Sequence, residues 1–356
     1  MGGDFIDKSR QVRDGEDLDA AKLETYLKEA IPGLSGGLEI SQFPSGFSNL
    51  TYMIKVGDTE LVLRRPPFGN KVKSAHDMGR EYKVLSRLHA VYPPAPKALA
   101  FCEDLEVLGA PFYVMERRRG IILRQSLPKD LTLDPATLRK LCEAFIDNLV
   151  TLHQVDYEKA GLGDLGKPTG YVERQISGWH GRYEKAKTED VPAMNTVAAW
   201  LHANKPAESG AALIHNDYKF DNVVLDPNDI TRVIGVLDWE MATIGDPLMD
   251  LGTTVGYWIQ ADDPPALQAF VVGPTRMEGS FSRKELIERY AEKSGRAIEQ
   301  PLFYFVFGIF KLAVIVQQIY YRYAQGFTKD ERFAHLNFVV QMLAEGARDR
   351  IDQGTI

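Results

Sequence analysis

Leu213–Glu240, LIHNDYKFDNVVLDPNDITRVIGVLDWE, is the stretch on which the reading of the whole chain turns. A short apolar strand ends in His215-Asn216-Asp217, and a polar loop runs on to Asn222. A second apolar piece, Val223-Val224-Leu225, leads into a turn at Pro227-Asn228-Asp229. A third run, Val233 to Leu237, delivers Asp238 at its end. Two tight hairpin-like pieces thus present Asp217, Asn222 and Asp238 at strand edges.

H-x-D-x-x-x-x-N followed by a strand-terminal Asp is the arrangement that kinases use to hold a substrate hydroxyl and magnesium. The rest of the chain can be tested against it. With 356 residues there is enough chain for two lobes with substantial cores. A hydrophobic share of 44% and a charged share of 26% are ordinary for a soluble globular protein. The net charge of -7 gives no general attraction to phosphate backbones, so no nucleic-acid partner is expected. Cys102 and Cys142 stand far apart without metal-like spacing, and they read as buried small hydrophobes in a reducing cytoplasm. The first twenty residues are charged and lack an apolar signal core. The apolar run Leu302 to Val316 is broken by Lys311, so a buried helix is expected there, with no membrane partner.

Upstream, Asp19 is placed to cap a helix whose face is Leu23, Leu27 and Ala30. Strand-like alternation begins near Leu38. Three antiparallel strands in sequence follow, with a small polar loop between the first two. Ser45, Gly46, Ser48 and Asn49 would form a phosphate-covering loop, in which small residues let backbone N–H groups approach phosphate oxygens. A plain hairpin turn is the alternative. In the strand ending Val62-Leu63-Arg64-Arg65, the two-residue period puts Val62 and Arg64 on one face. That places Val62 under a purine and Arg64 near its phosphates, while Arg65 points away; otherwise both arginines are a solvated strand end. A helix from Ser74 to His89 carries Glu81 beside its apolar stripe, as an orienting carboxylate for Arg64 or as a surface residue. The strand Pro111 to Glu116 runs into Arg117, and backbone groups around Met115, Glu116 and Arg117 would hydrogen-bond adenine at a hinge.

From there the pattern turns helical. Asp134-Pro135 opens one helix, Tyr171 to Tyr183 and Ala193 to His202 form others, and Ser282 to Glu285 is a capping box. Two longer helices, Leu302–Ala324 and Asp330–Asp349, close the chain. Strands first and helices after give an α+β, protein kinase-like two-lobed fold. Its parts would be a tail over 1–18, a nucleotide-binding antiparallel sheet lobe with a helix over 19–116, and a mainly helical lobe over 117–356.

LIHNDYKFDNVVLD and GVLDWEMATIGDPLMDLG resemble the aminoglycoside phosphotransferase and choline kinase-like superfamily. FSNLTYMI, LVLRRPPFG, REYKVL and FYVME are similar to pieces of its nucleotide lobe, and the likeness covers roughly residues 20–345. LHQVDYEKAGLGDLGKPTGYVERQISGW looks closer still to one branch, the kinase-like domains fused to acyl-CoA dehydrogenases, implicated in phosphorylating hydroxyacyl-CoA intermediates. The resemblance implies Asp217 as catalytic base, Asn222 and Asp238 as Mg²⁺ ligands, and Arg64 on ATP phosphates with Glu81 behind it. It also implies Asp250 as a brace for the catalytic loop. His215 reads as scaffold. The family's commoner His-Gly-Asp is His-Asn-Asp here, and its phosphate-binding Lys is Arg.

The implied activity is ATP- and Mg²⁺-dependent transfer of a phosphoryl group to a hydroxyl of a small molecule. A catalytically silent nucleotide-binding protein of the same fold is the alternative, and intact Asp217, Asn222 and Asp238 favour the enzyme. The aromatic run LFYFVFGIFKLAVIVQQIYYRYAQG carries Lys311 as a substrate-side cation or as a snorkelling edge residue. It points to an apolar or anionic acceptor rather than to an aminoglycoside polycation.

Overall fold

The computed structural model of the chain describes residues 5–44, 49–68, 77–268, 270–328 and 330–356. It divides into two compact units, one of Met1–Ile122, Lys159–Leu162 and Val223–Ala242, the other of Leu123–Glu158, Gly163–Asn222 and Thr243–Ile356.

In the first unit, helix α1 (Ala20–Ala30) starts at Asp19, whose carboxylate accepts the Lys22 N–H. Strands β1 (Leu38–Gln42), β2 (Leu50–Val56), β3 (Thr59–Arg65), β4 (Ala98–Cys102) and β5 (Phe112–Glu116) form an antiparallel sheet of order β1-β2-β3-β5-β4. Alternation sorts its side chains. Leu61 and Leu63 of β3 join Phe112 and Val114 of β5 and Leu23 and Leu27 of α1 in one core. Val62 and Arg64, one residue out of phase, take the other face. That face meets helix α2 (Met78–Leu88), capped by Asp77 and buried through Met78, Glu81, Val84, Leu85 and Leu88. Ser74, the expected start of this helix, lies outside the described residues. A single turn, α3 (Leu105–Leu108), joins β4 to β5.

The hairpin of β7 (Val223–Leu225) and β8 (Val233–Val236) also belongs to the first unit. Ile121 and Leu225 exchange backbone hydrogen bonds of 2.9 and 2.8 Å, and the Val236 N–H donates to the Pro94 carbonyl at 2.9 Å. Backbone pairing of this kind leaves no mark on side-chain pattern. The sequence pattern puts residues 117–122 and 223–242 with the helical lobe, and in the structure they fall within the first unit.

The second unit contains α4 (Pro135–His153), α5 (Tyr171–Ala186), α6 (Pro192–Ala203), α7 (Pro247–Gly256), α8 (Pro265–Gln268), α9 (Arg283–Ser294), α10 (Pro301–Ala324) and α11 (Leu336–Gln353). Asp134 caps α4 with Pro135 in its first turn, and Ser282 with Glu285 forms the capping box of α9. The last helix begins at Leu336 rather than at Asp330, because Asp330 spends its side chain capping a separate turn, Glu331–Phe333. Strand β6 (Ala212–Ile214) pairs with β9 (Thr243–Gly245). Helix α10 is long and apolar enough to cross a membrane by length and composition, and 67% of its most apolar window is buried inside the protein.

Helices α7 and α10 cross at glycines. A Cβ on Gly308 would lie 2.1 Å from the Gly252 carbonyl oxygen, and one on Gly256 would lie 2.9 Å from the backbone of Gly308. Neither clash is against a movable side chain, so any methyl here drives the helices apart. Helix propensity alone favours Gly308→Ala by roughly 1 kcal/mol. The crossing predicts the opposite sign, a loss of about 1–3 kcal/mol in urea denaturation; an unchanged or raised midpoint would contradict the packing.

Candidate active site

Strand β6 ends at Ile214, and the chain then turns through Asn216 in the left-handed region, φ 65°. Its exposed amides need acceptors, and α7 supplies them. Asp246 caps that helix and Pro247 opens it, which places Asp250 one turn in and fully buried. Asp250 Oδ2 accepts the His215 N–H at 2.7 Å, and Oδ1 accepts the Asn216 N–H at 2.7 Å. His153 Nε2 lies 3.0 Å from Oδ2, and its Nδ1 lies 2.7 Å from the Tyr290 hydroxyl. Burial pushes the Asp250 carboxyl up, but the hydrogen bond and charge of His153, with those of His215, overcome it and hold the group below its ordinary value. His215 is itself buried, and its Nδ1 accepts the Asp217 N–H at 3.2 Å, which makes it part of the loop's framework.

Asp217 therefore leaves a loop whose two preceding amides are fixed. Its Oδ1 accepts the Tyr257 hydroxyl at 2.8 Å. Its Oδ2 accepts the Asn222 side-chain amide at 2.9 Å and lies 3.4 Å from the Lys219 ammonium. The same Asn222 nitrogen bonds the Asp217 carbonyl at 2.9 Å, so the amide nitrogen is committed to the loop. Lys219 also reaches Asp221 at 3.6 Å and sits 5.0 Å from the Tyr257 ring centre.

In the first unit, Arg64 is the hub. Its guanidinium lies 3.2 Å from Glu81, 2.8 Å from Asp238 and 4.0 Å from Glu240. Burial would lower the Arg64 pKa, but the charges of Glu81 and Asp238 hold it well above its ordinary value, so the residue stays cationic. Glu81 Oε1 also accepts the Trp239 N–H at 3.2 Å. Between them Arg64 and Glu81 fix both sides of Asp238, which is itself left-handed at φ 66°. Asn49 donates to Glu240 Oε2 at 2.8 Å, and Arg64 Nε has no hydrogen-bond partner among the described residues.

Ser45, Gly46 and Ser48 lie outside the described residues. Val62 and Met115 are buried opposite each other across β3 and β5. The Glu116 N–H is spent on the Lys97 carbonyl at 2.9 Å, so it is not available to a base. The Arg117 side chain is tied to Glu60 at 2.7 Å and to the Asp7 carbonyl at 2.7 Å. Lys311 is neither an edge residue nor an exposed substrate contact. It is 2% exposed and donates to the Asn216 carbonyl at 2.6 Å, bracing the loop from α10. Burial pulls its pKa down to about 8, against the pull of Asp217 and Asp250. Sequence reasoning missed Tyr257, Lys219 and Glu240. Tyr257 had one available signal, since it lies seven residues after Asp250 and so two turns along the same helix face.

The antiparallel sheet with its helix and the helical unit after it define a protein kinase-like fold, and the two clusters are those of a kinase-type phosphotransferase acting on small molecules. The model of the phosphotransferase enzyme family matches residues 39–286, and the chain belongs to that family. It is 36% identical over 347 residues to acyl-CoA dehydrogenase family member 11 of Gallus gallus, a match that covers 94% of this chain and 44% of that protein. The chain thus spans less than half the length of this relative. A protein of Ralstonia eutropha provisionally described as an aminoglycoside phosphotransferase superposes with a TM-score of 0.79 at 30% identity, over 95% of this chain and 99% of that one. Choline kinase from Cryptosporidium parvum shares the fold, with a TM-score of 0.64 at 13% identity over 94% and 97% of the two chains.

Asp250 yields a pH-dependent prediction. Its pKa is lower folded than unfolded, so its stabilisation is complete above the ordinary aspartate value, roughly 3.9, and is lost as pH falls through the folded value. Asp250→Asn turns an amide nitrogen toward backbone donors and should cost about 2–4 kcal/mol at pH 7. Urea midpoints of the two chains should converge only as pH falls below roughly 3.9. A gap independent of pH would contradict the assignment.

Proposed function

We propose that this protein is an ATP- and Mg²⁺-dependent kinase that phosphorylates an alcohol of a small, anionic or apolar metabolite, with a hydroxyacyl-CoA as the favoured acceptor class. The observation that carries the reading is the Asp217 carboxylate. It is held on both oxygens by side chains and rooted in a loop whose amides end on a buried aspartate.

The reaction follows from those residues. Asp217 aligns the acceptor hydroxyl and takes its proton as the new O–P bond forms and the bond from the γ-phosphorus to the β,γ-bridging oxygen breaks, releasing ADP. Arg64 supplies a fixed cation for phosphate oxygens. Asn222 has its nitrogen turned to Asp217, which leaves its amide oxygen for a cation, and Asp238 offers a carboxylate. Each is a hard oxygen ligand of the kind that suits Mg²⁺, which when bound would neutralise charge on the phosphates. Loose transition states need positioning and charge above all, and both clusters are built for that.

Support for the acceptor comes from the relatives' names. Proteins called acyl-CoA dehydrogenases carry a segment like this chain together with more than as much again of other sequence. A kinase joined to an acyl-CoA enzyme fits a shared acyl-CoA metabolite. The same reading places the protein in the cytoplasm, where its two unpaired, buried cysteines would stay reduced.

Two outcomes test this. In the presence of Mg²⁺, ATP consumption should rise with hydroxyacyl-CoAs and not with aminoglycosides. Asp217→Ala should keep ADP affinity within about twofold while transfer falls by roughly 10²–10⁴. Full transfer by that variant would remove Asp217 from its role.

A further inference from the structure

Beyond the motif residues, one side chain outside the motif ends on the reactive carboxylate. Tyr257 is the residue after α7, and its ring packs beneath the Lys219 ammonium at 5.0 Å. Its hydroxyl donates to Asp217 Oδ1 at 2.8 Å. The opposite oxygen, Oδ2, is held by Asn222 at 2.9 Å and Lys219 at 3.4 Å. A carboxylate gripped on one oxygen alone still turns about its last torsion, which is broad and soft. Gripped on both, it has one orientation.

The placement of Tyr257 is itself determined from several sides. Its N–H closes the end of α7 on the Thr253 and Thr254 carbonyls at 3.3 and 3.2 Å. The next residue, Trp258, donates its indole N–H to the Phe281 carbonyl at 2.7 Å and accepts Arg283 Nε at 2.9 Å. Arg283 is locked by a bidentate pair with Asp263 and lies over the Phe305 ring at 4.7 Å. A buried arginine of this kind is well ordered, so the tyrosine hydroxyl is aimed rather than loose. Burial and the Asp217 charge hold the phenol well above its ordinary pKa, which keeps it a donor.

We propose that Tyr257 is a positioning residue for phosphoryl transfer, its hydroxyl fixing the plane of the Asp217 carboxylate so that a single lone pair is offered to the incoming hydroxyl. The proposal rests on the kinase reading given above. One helix then serves the reactive residue at two points, with Asp250 holding the backbone before it and Tyr257 holding its side chain. No motif contains Tyr257, and an aromatic at a helix end reads in sequence as core.

The test uses the full chain with MgATP and water as the acceptor, so no metabolite has to be known. Tyr257→Phe keeps the ring beneath Lys219 and removes one oxygen. Its kcat should fall about 10- to 100-fold, the range set by a hydrogen bond to a charged group, while KM for ATP and ADP affinity stay within about twofold. In an Asp217→Ala background the same substitution should cost nothing further, since no carboxylate remains to be held. An unchanged kcat, an equal loss in both backgrounds, or loss of ADP binding along with activity would overturn the proposal. Failure of the kinase reading would look different, as absence of ATP turnover in the unsubstituted chain.

Discussion

A single buried carboxylate governs the helical unit. Asp250 is fully excluded from water and takes hydrogen bonds from two successive amides and an imidazole. Burying an ionised group is costly unless every lone pair is used, and here the donors come from the loop that must be held still. That makes the geometry all-or-none. If the loop moves, a buried charge loses its partners, so the left-handed turn at Asn216 is enforced rather than merely allowed. The glycine crossing of α7 on α10 sets where Asp250 stands, and Lys311 of α10 ties the Asn216 carbonyl from the other side. Rigidity in the helices becomes orientation at Asp217.

The first unit uses a different device. Arg64 is a fork, and it meets Glu81 and Asp238 with separate nitrogens, which a lysine's compact ammonium matches poorly. The strand register puts Arg64 on the face toward α2, and α2 puts Glu81 on its buried side. Asp238 is thereby held by a cation while its backbone is held through Trp239 on the same Glu81 oxygen. The departure from lysine at this position is compatible with the cluster and adds a second attachment.

The sequence made the candidate site residues legible because they interrupt apolar runs. Asp217, Asn222, Asp238 and Asp250 each stand where a strand or helix begins or ends, and such positions are conspicuous. What stayed hidden was carried by backbone or by aromatic residues. The pairing of β6 with β9 joins two three-residue strands across some thirty positions, too short for any period to register. The membership of residues 223–242 in the first unit rests partly on amide–carbonyl bonds, as does the use of the Glu116 N–H on Lys97. Lys311 illustrates the limit for charge. In a one-dimensional pattern a lone lysine in an aromatic helix looks like an edge residue, and its carbonyl acceptor on Asn216 comes from 95 positions away.

Phosphoryl transfer from a loop anchored by Asp250 is the central claim, and following the phosphorus tests it most directly. ATP labelled with ³²P at the γ position, incubated with the chain, Mg²⁺ and a hydroxyacyl-CoA, should place the label in an acid-stable ester of the acceptor. Excess chelator should abolish that transfer, and Asp250→Asn should reduce it in a chain that still binds ADP. Label recovered only as inorganic phosphate with every hydroxyacyl-CoA, or transfer indifferent to chelator and to Asp250, would contradict the account.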